Sequence, residues 1–202
     1  MTARETILAV VARNRPSGQH LLPAIPRFPQ PEEGGRVATF LRNLIAMGGS
    51  GLTGSLETDT IELVRERLRG PVICSAVPEI VGNRRLDEVK QPHDLADVDV
   101  AVVRAVIGVA ETGSVLFTEG ELIVNTLAYL AQHLVVLLDP DDIVSGIQDA
   151  YDRSEFHQAA YAVFHTGPSG TGDIESVLIH PAQGVRTLTV AFISRSPTGG
   201  AG

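Results

Sequence analysis

Residues 98–121 read VDVAVVRAVIGVAETGSVLFTEGE, an almost unbroken apolar segment with one carboxylate, Glu111, set in its middle. Burying an unpaired carboxylate costs several kcal/mol, so such a Glu is hydrogen-bonded, exposed in a cleft, or protonated. Each of these readings puts it on a pocket wall. The runs 96–103 and 108–117, the second of which contains Glu111, read as buried strands, which belong to a sheet covered on both faces.

Working outward, helices alternate with short apolar strands. Upstream, residues 37–47 carry Phe40, Leu41, Leu44 and Ile45 at helical spacing and stop at Gly48-Gly49. Residues 58–68 repeat that period through Ile61, Leu63, Val64 and Leu68, then hand over at Gly70-Pro71 to a strand at 72–76. Downstream, 122–133 is helical by period and 134–138, LVVLL, is the clearest buried strand in the chain. Asp139-Pro140-Asp141-Asp142 should start a helix running towards Ser154, with Asp139 as N-cap. Residues 160–165 and 187–193 supply two more strands. The expected architecture is α/β: a three-layer sandwich around a mostly parallel or mixed sheet, with ligand sites at strand ends.

The ends are of another character. Thr2 can cap a helix over 3–13 whose Ile7, Leu8, Val10 and Val11 form a stripe in need of a partner, either the domain or a second copy. Prolines at 16, 23, 26, 29 and 31 make the next stretch an extended arm. The expected organisation is therefore an N-terminal helix and Pro-rich arm (1–34), one α/β domain (35–193) and a disordered tail (194–202).

The chain's 202 residues give one substantial core. Its 16 Lys and Arg against 24 Asp and Glu, a net charge of −8, argue against nucleic-acid or anionic-membrane partners. The single cysteine, Cys74, can form no internal disulfide and cannot by itself hold an iron–sulfur cluster or a thiolate zinc site. No apolar run is long enough for a membrane span and no targeting segment is read, so a reducing cytoplasm is expected.

Two stretches could carry chemistry. Glu111-Thr112-Gly113 combines a carboxylate, a hydroxyl and a flexible backbone, suited to a general base, a nucleophile or a substrate hydrogen-bond acceptor. The alternative is a Glu held by backbone amides or an Arg. Residues 165–175, HTGPSGTGDIE, have the composition of a loop that opens a helix and offers amides to an anion, aided by the Ser169 and Thr171 hydroxyls. Here the alternative is a simple helix cap with Asp173 complementing the dipole. The run lacks the Lys-Ser/Thr ending of a Walker loop. If both stretches face one site, Glu111 lies opposite a small anion. None of the six histidines forms a metal-binding pair, so no metal is expected. His133 and His165 precede a strand and the Gly-rich run, and Asn83-Arg84-Arg85 could clamp a carboxylate or phosphate.

The order Ala110-Glu111-Thr112-Gly113, a helix leading to His133 and an apolar strand, then Gly167-Pro168-Ser169-Gly170-Thr171-Gly172-Asp173-Ile174-Glu175, and finally Gly184, Arg186 and Leu188, resembles the LUD domain of the lactate utilization protein C family. The resemblance covers roughly residues 35–193. It implies a NagB/RpiA/CoA-transferase-like fold and an accessory role in bacterial oxidation of L-lactate to pyruvate, beside two iron–sulfur partner proteins that carry the redox centres. By position, Glu111, Thr112 and Gly113 match the family's ETG, and Glu111 is the catalytic candidate. Gly167, Pro168, Ser169, Thr171, Asp173, Ile174 and Glu175 match its second motif, and the ligand-binding candidates are Thr112, Gly113, His133, Gly167, Ser169, Gly170, Thr171, Asp173 and Glu175. The family usually has Arg where this chain has Gly170, and His where it has Gln183. The Gly-Arg-rich turn that usually comes after ETG is replaced by Thr118-Glu119-Gly120-Glu121. The competing expectation is a stand-alone enzyme acting on a CoA thioester or sugar phosphate through Glu111.

Overall fold

Strand β6 (His133–Leu138) is apolar on both faces because it lies at the middle of the main sheet, whose order is β1-β11-β6-β3-β2 with every pairing parallel. Here β1 is Ser50–Leu52, β2 Ile73–Ser75, β3 Val100–Arg104 and β11 Thr187–Phe192. Val136 is flanked in register by Val190 on one side and Val103 on the other. The computed structural model describes residues 2–16, 23, 25–27, 34–55, 57–168 and 170–195.

Alternate residues of the parallel strands feed two separate cores. Val100, Val102, Val135, Leu137 and Ala191 point to helix α3 (Glu57–Arg67), where Val64 is fully buried and Ile61 and Leu63 pack beside it. Ala101, Val103, Leu134, Val136, Leu138 and Val190 point the other way, to Phe40 and Leu44 of helix α2 (Gly35–Ala46). Each fully buried aliphatic side chain contributes about 1.5–3 kcal/mol, so period-two patterning on buried strands is the main stabilising term. A mostly parallel sheet flanked by helices makes this the α/β sandwich that the alternation of elements predicts.

A second sheet is packed into the α2 side, in the order β7-β4-β5-β8. It comprises β4 (Ile107–Val109), β5 (Ser114–Thr118), β7 (Ile143–Val144) and β8 (Ala162–His165). Val115 and Phe117 join the main core, whereas Ile107, Val109 and Leu116 meet Ala150 and Phe156 of two short helices, α6 (Ile147–Tyr151) and α7 (Ser154–Gln158).

Four expected elements come out differently. Residues 108–117 are two strands of an antiparallel hairpin, with the turn at Ala110–Gly113 made possible by Gly113 at φ 66°. Residues 122–133 do not form one helix. Glu119–Leu122 (α4) and Leu127–Leu130 (α5) are separated by Ile123 at φ 60°, and His133 already belongs to β6. Asp139 does cap, its side chain accepting from the Asp141 N–H, but it opens only a single 3₁₀ turn before the chain enters β7. The strand pairing offered by β4 outweighs helix propensity there. Residues 171–174 are strand β9 of a small hairpin with β10 (Val177–Ile179), not the start of a helix.

At the N-terminus, Thr2 and Glu5 form a capping box on helix α1 (Ala3–Asn14), none of whose residues is buried. Residues 25–27 lie against α6, where Arg27 pairs with Asp149 and Asp152 and the Pro26 carbonyl accepts from Gln148. At the other end the Arg195 N–H donates to Asp139 at 2.6 Å, within the span expected as tail. The rest of the expected tail, 196–202, lies outside the described residues. Among the described residues no helix is long and apolar enough to cross a membrane.

Candidate functional site

Glu111 sits at the β4–β5 turn, which three hydrogen bonds hold in place. Its N–H donates to the Ser145 carbonyl at 3.0 Å, and Asn43 Nδ2 donates to the carbonyls of Ala110 at 2.8 Å and Glu111 at 3.0 Å. The half-buried carboxylate accepts through Oε2 from the N–H of Ile147 at 3.0 Å, which fixes its direction. It lines a hollow of about 480 Å³ with Asn43, Met47, Thr112, Ser114, Ile147, Phe164 and Thr166. Thr112 Oγ1, Ser114 Oγ and Thr166 Oγ1 form a hydroxyl chain along this wall, with steps of 2.7 and 2.6 Å. Among the described lining residues there is one carboxylate and no Lys or Arg, so this hollow favours a ligand that brings hydrogen-bond donors.

Gly167 and Gly170 line a neighbouring hollow of about 300 Å³, together with Tyr129, Phe164, His165, Thr166, Pro168, Gln183 and Gly184. Phe164 and Thr166 belong to both walls, so the two hollows lie on either side of the end of β8. Gly167, at φ 66°, lets the loop press on the end of α2; a Cβ there would lie 2.1 Å from the Met47 carbonyl oxygen. Since the run continues as β9, no helix dipole supports an anion at this loop.

His165 is set between two rings, edge-on to Phe117 at 5.2 Å and tilted against Tyr129 at 5.0 Å. Burial pushes its imidazole down to about 4, and Nε2 is enclosed without a hydrogen-bond partner. Tyr129 and Tyr161 bond hydroxyl to hydroxyl, and burial together with that bond pushes the Tyr129 phenol up. Behind them the Glu119 carboxylate accepts from the N–H groups of Ala160 and Tyr161, which holds it below the usual carboxylate range.

His165 gives the protein a pH dependence. Its folded value lies below the unfolded one, so the unfolded chain binds the extra proton first as pH falls. Stability therefore declines from about pH 6.5 down to about pH 4 and flattens below, by at most roughly 3 kcal/mol from this group. Urea unfolding of the wild type against His165→Phe across that window checks it; the variant should lose this part of the slope.

Of the other sequence-derived candidates, Thr112 lines the Glu111 hollow and Gly113 forms its turn against α2. His133 bonds through Nδ1 to Thr187 Oγ1 at 2.9 Å where β6 and β11 begin, and lines neither hollow. Thr171 opens β9, its hydroxyl accepting from the Asp173 N–H at 3.3 Å, while Asp173 and Glu175 are exposed on the hairpin. Ser169 lies outside the described residues. The Asn83-Arg84-Arg85 clamp is committed elsewhere: Asn83 to the backbone of Pro71 and Ile73, Arg84 to the Asp94 carbonyl, and Arg85 to Asp87 and Glu88. Among the described residues no group of three or more His, Cys, Asp or Glu could hold a metal ion. Asn43, Ser114, Thr166 and Tyr129 were not legible as site residues, because each enters through a tertiary contact.

The geometry defines an α/β sandwich protein with two small, adjoining hollows beside its second sheet. A family model for the LUD domain matches residues 40–193, and the chain belongs to the LUD domain family. That membership makes it a lactate-utilization-associated protein in the general sense. The fold is similar to the crystal structure of a DUF162 family protein from Deinococcus radiodurans, with a TM-score of 0.57 and 14% identity, covering 79% of this chain and 96% of that one. No curated protein matches the chain.

Proposed function

We propose that this chain is an accessory, small-molecule-binding component of a bacterial, cytoplasmic system that oxidises L-lactate to pyruvate. Its iron–sulfur partner subunits carry the electrons, since one cysteine cannot ligate a cluster. The observation that carries the reading is the Glu111 hollow in a chain of the LUD family: a directed carboxylate and three hydroxyls face a space of small-molecule size. A 2-hydroxy acid would meet Glu111 through its hydroxyl. The exposed Ile7, Leu8, Val10 and Val11 stripe of α1 suits a second copy. Capture of the tagged full chain from lactate-grown cells should recover iron–sulfur proteins, and gene deletion should impair growth on lactate. Recovery of none, with unaltered growth, sinks the reading.

The fixed carboxylate favours one other reading, a stand-alone enzyme acting on a CoA thioester or sugar phosphate with Glu111 as base or nucleophile. Glu111→Gln keeps an oxygen for the Ile147 N–H, so the fold should survive while turnover falls by at least about 100-fold. Turnover within twofold of the wild type removes Glu111 from the chemistry.

A further inference from the structure

The hollow around His165 has a character that the lactate-linked reading does not use. Tyr129 and His165 bring aromatic rings to it, Pro168 lies beside them, and Gly167 and Gly184 belong to its lining. No Asp, Glu, Lys or Arg is among its described lining residues. A ligand's buried part is therefore uncharged, since a charge there would be desolvated without a counter-charge. His165 supplies the one polar side-chain atom of this wall that is enclosed and without a partner, Nε2. An unpaired buried nitrogen costs free energy until a donor or acceptor reaches it. The Tyr129 ring, tilted against the imidazole, is 38% exposed and is held in place by the bond of its hydroxyl to Tyr161, so it offers a fixed face to a ligand. Beyond Tyr129 the space continues into a further hollow of about 470 Å³ lined by Leu130, Gln132, Gln183 and Gly184, room for the remainder of a larger molecule.

We propose that this hollow binds an uncharged, planar nitrogen heterocycle, stacked on the Tyr129 ring with an N–H group turned to His165 Nε2. A purine base and a pyridine carboxamide share that chemistry: a flat π face and an N–H donor on the edge. Stacking on an aromatic side chain tolerates either, and the imidazole nitrogen selects for the donor. The site is separate from the Glu111 carboxylate, on the other side of Phe164 and Thr166.

Isothermal titration calorimetry of the full chain with adenosine, with nicotinamide and with ribose tests this, far-UV circular dichroism confirming the fold of each variant. Adenosine or nicotinamide should bind in the micromolar to low-millimolar range, ribose should not, and the heterocycle that binds identifies the source. Tyr129→Leu and His165→Phe should each weaken that binding about tenfold, while Tyr129→Phe, which keeps the ring, stays within about threefold. Wild-type protein that binds neither heterocycle at millimolar concentration, or ribose as well as either, overturns the proposal. So does a folded Tyr129→Leu protein that binds as tightly as the wild type. Because the variants tie the readout to this hollow, a negative result leaves the lactate-linked reading intact, and failure of the partner capture leaves this site intact.

Discussion

Gly113→Ala should destabilise the protein by about 3 kcal/mol or more, seen as a fall of roughly 10 °C in Tm. Gly113 holds φ at 66°, a left-handed conformation costing an alanine about 1–2 kcal/mol. Space makes it worse. An added Cβ would stand 2.2 Å from the Leu44 nitrogen and 2.6 Å from its Cα, and both are helix backbone, which cannot swing away as a side-chain tip could. Either α2 withdraws, unseating the fully buried Leu44 side chain, or the turn carrying Glu111 is displaced. Differential scanning calorimetry of the folded variant decides the matter: a Tm within 2 °C of the wild type would mean that the turn does not press on α2 as described.

Phe117→Ala should cost a further class of stability, about 3–5 kcal/mol, measurable as a reduced urea midpoint at unchanged slope. Phe117 is fully buried between the two sheets, so the truncation leaves a cavity that rigid strands on both sides cannot close. Against a total of about 5–15 kcal/mol for a domain, that loss approaches the limit of folding. Its ring also stands edge-on to His165 at 5.2 Å, so removing it lets water towards the imidazole. The decline of stability between about pH 6.5 and pH 4 should therefore become shallower in this variant than in the wild type. An unchanged slope would show that Phe117 does not shield His165.

Legibility in the sequence has a physical boundary. The run LVVLL at 134–138 is legible because a central parallel strand is apolar on both faces, and residues 57–67 because one helix face alone is buried. Thr2 and Asp139 are legible as caps because their partners are within three residues. Residues 108–117 hid a hairpin because both of its strands are buried, so no polar alternation marks the turn except Glu111-Thr112-Gly113 itself. The helical period across 122–133 was overridden by packing: Leu122, Leu127 and Ala128 are all buried, through two short helices that meet the core separately. The candidate site divides in the same way. Glu111 stood out as a charge in apolar company, whereas Asn43 and Thr166 reach the same wall from 68 residues before and 55 after, through contacts no local pattern encodes.

The strand order has a consequence for how the chain is made. Strand β11, residues 187–192, lies between β1 and β6, yet it follows both in the chain and is the last of the described strands to be synthesised. Until then β1 has no neighbour among the described strands, and β6 offers one open edge for more than forty residues of synthesis. Sheet assembly must therefore wait for the C-terminal segment, which makes the nascent protein a natural client for chaperones that shield unpaired strands.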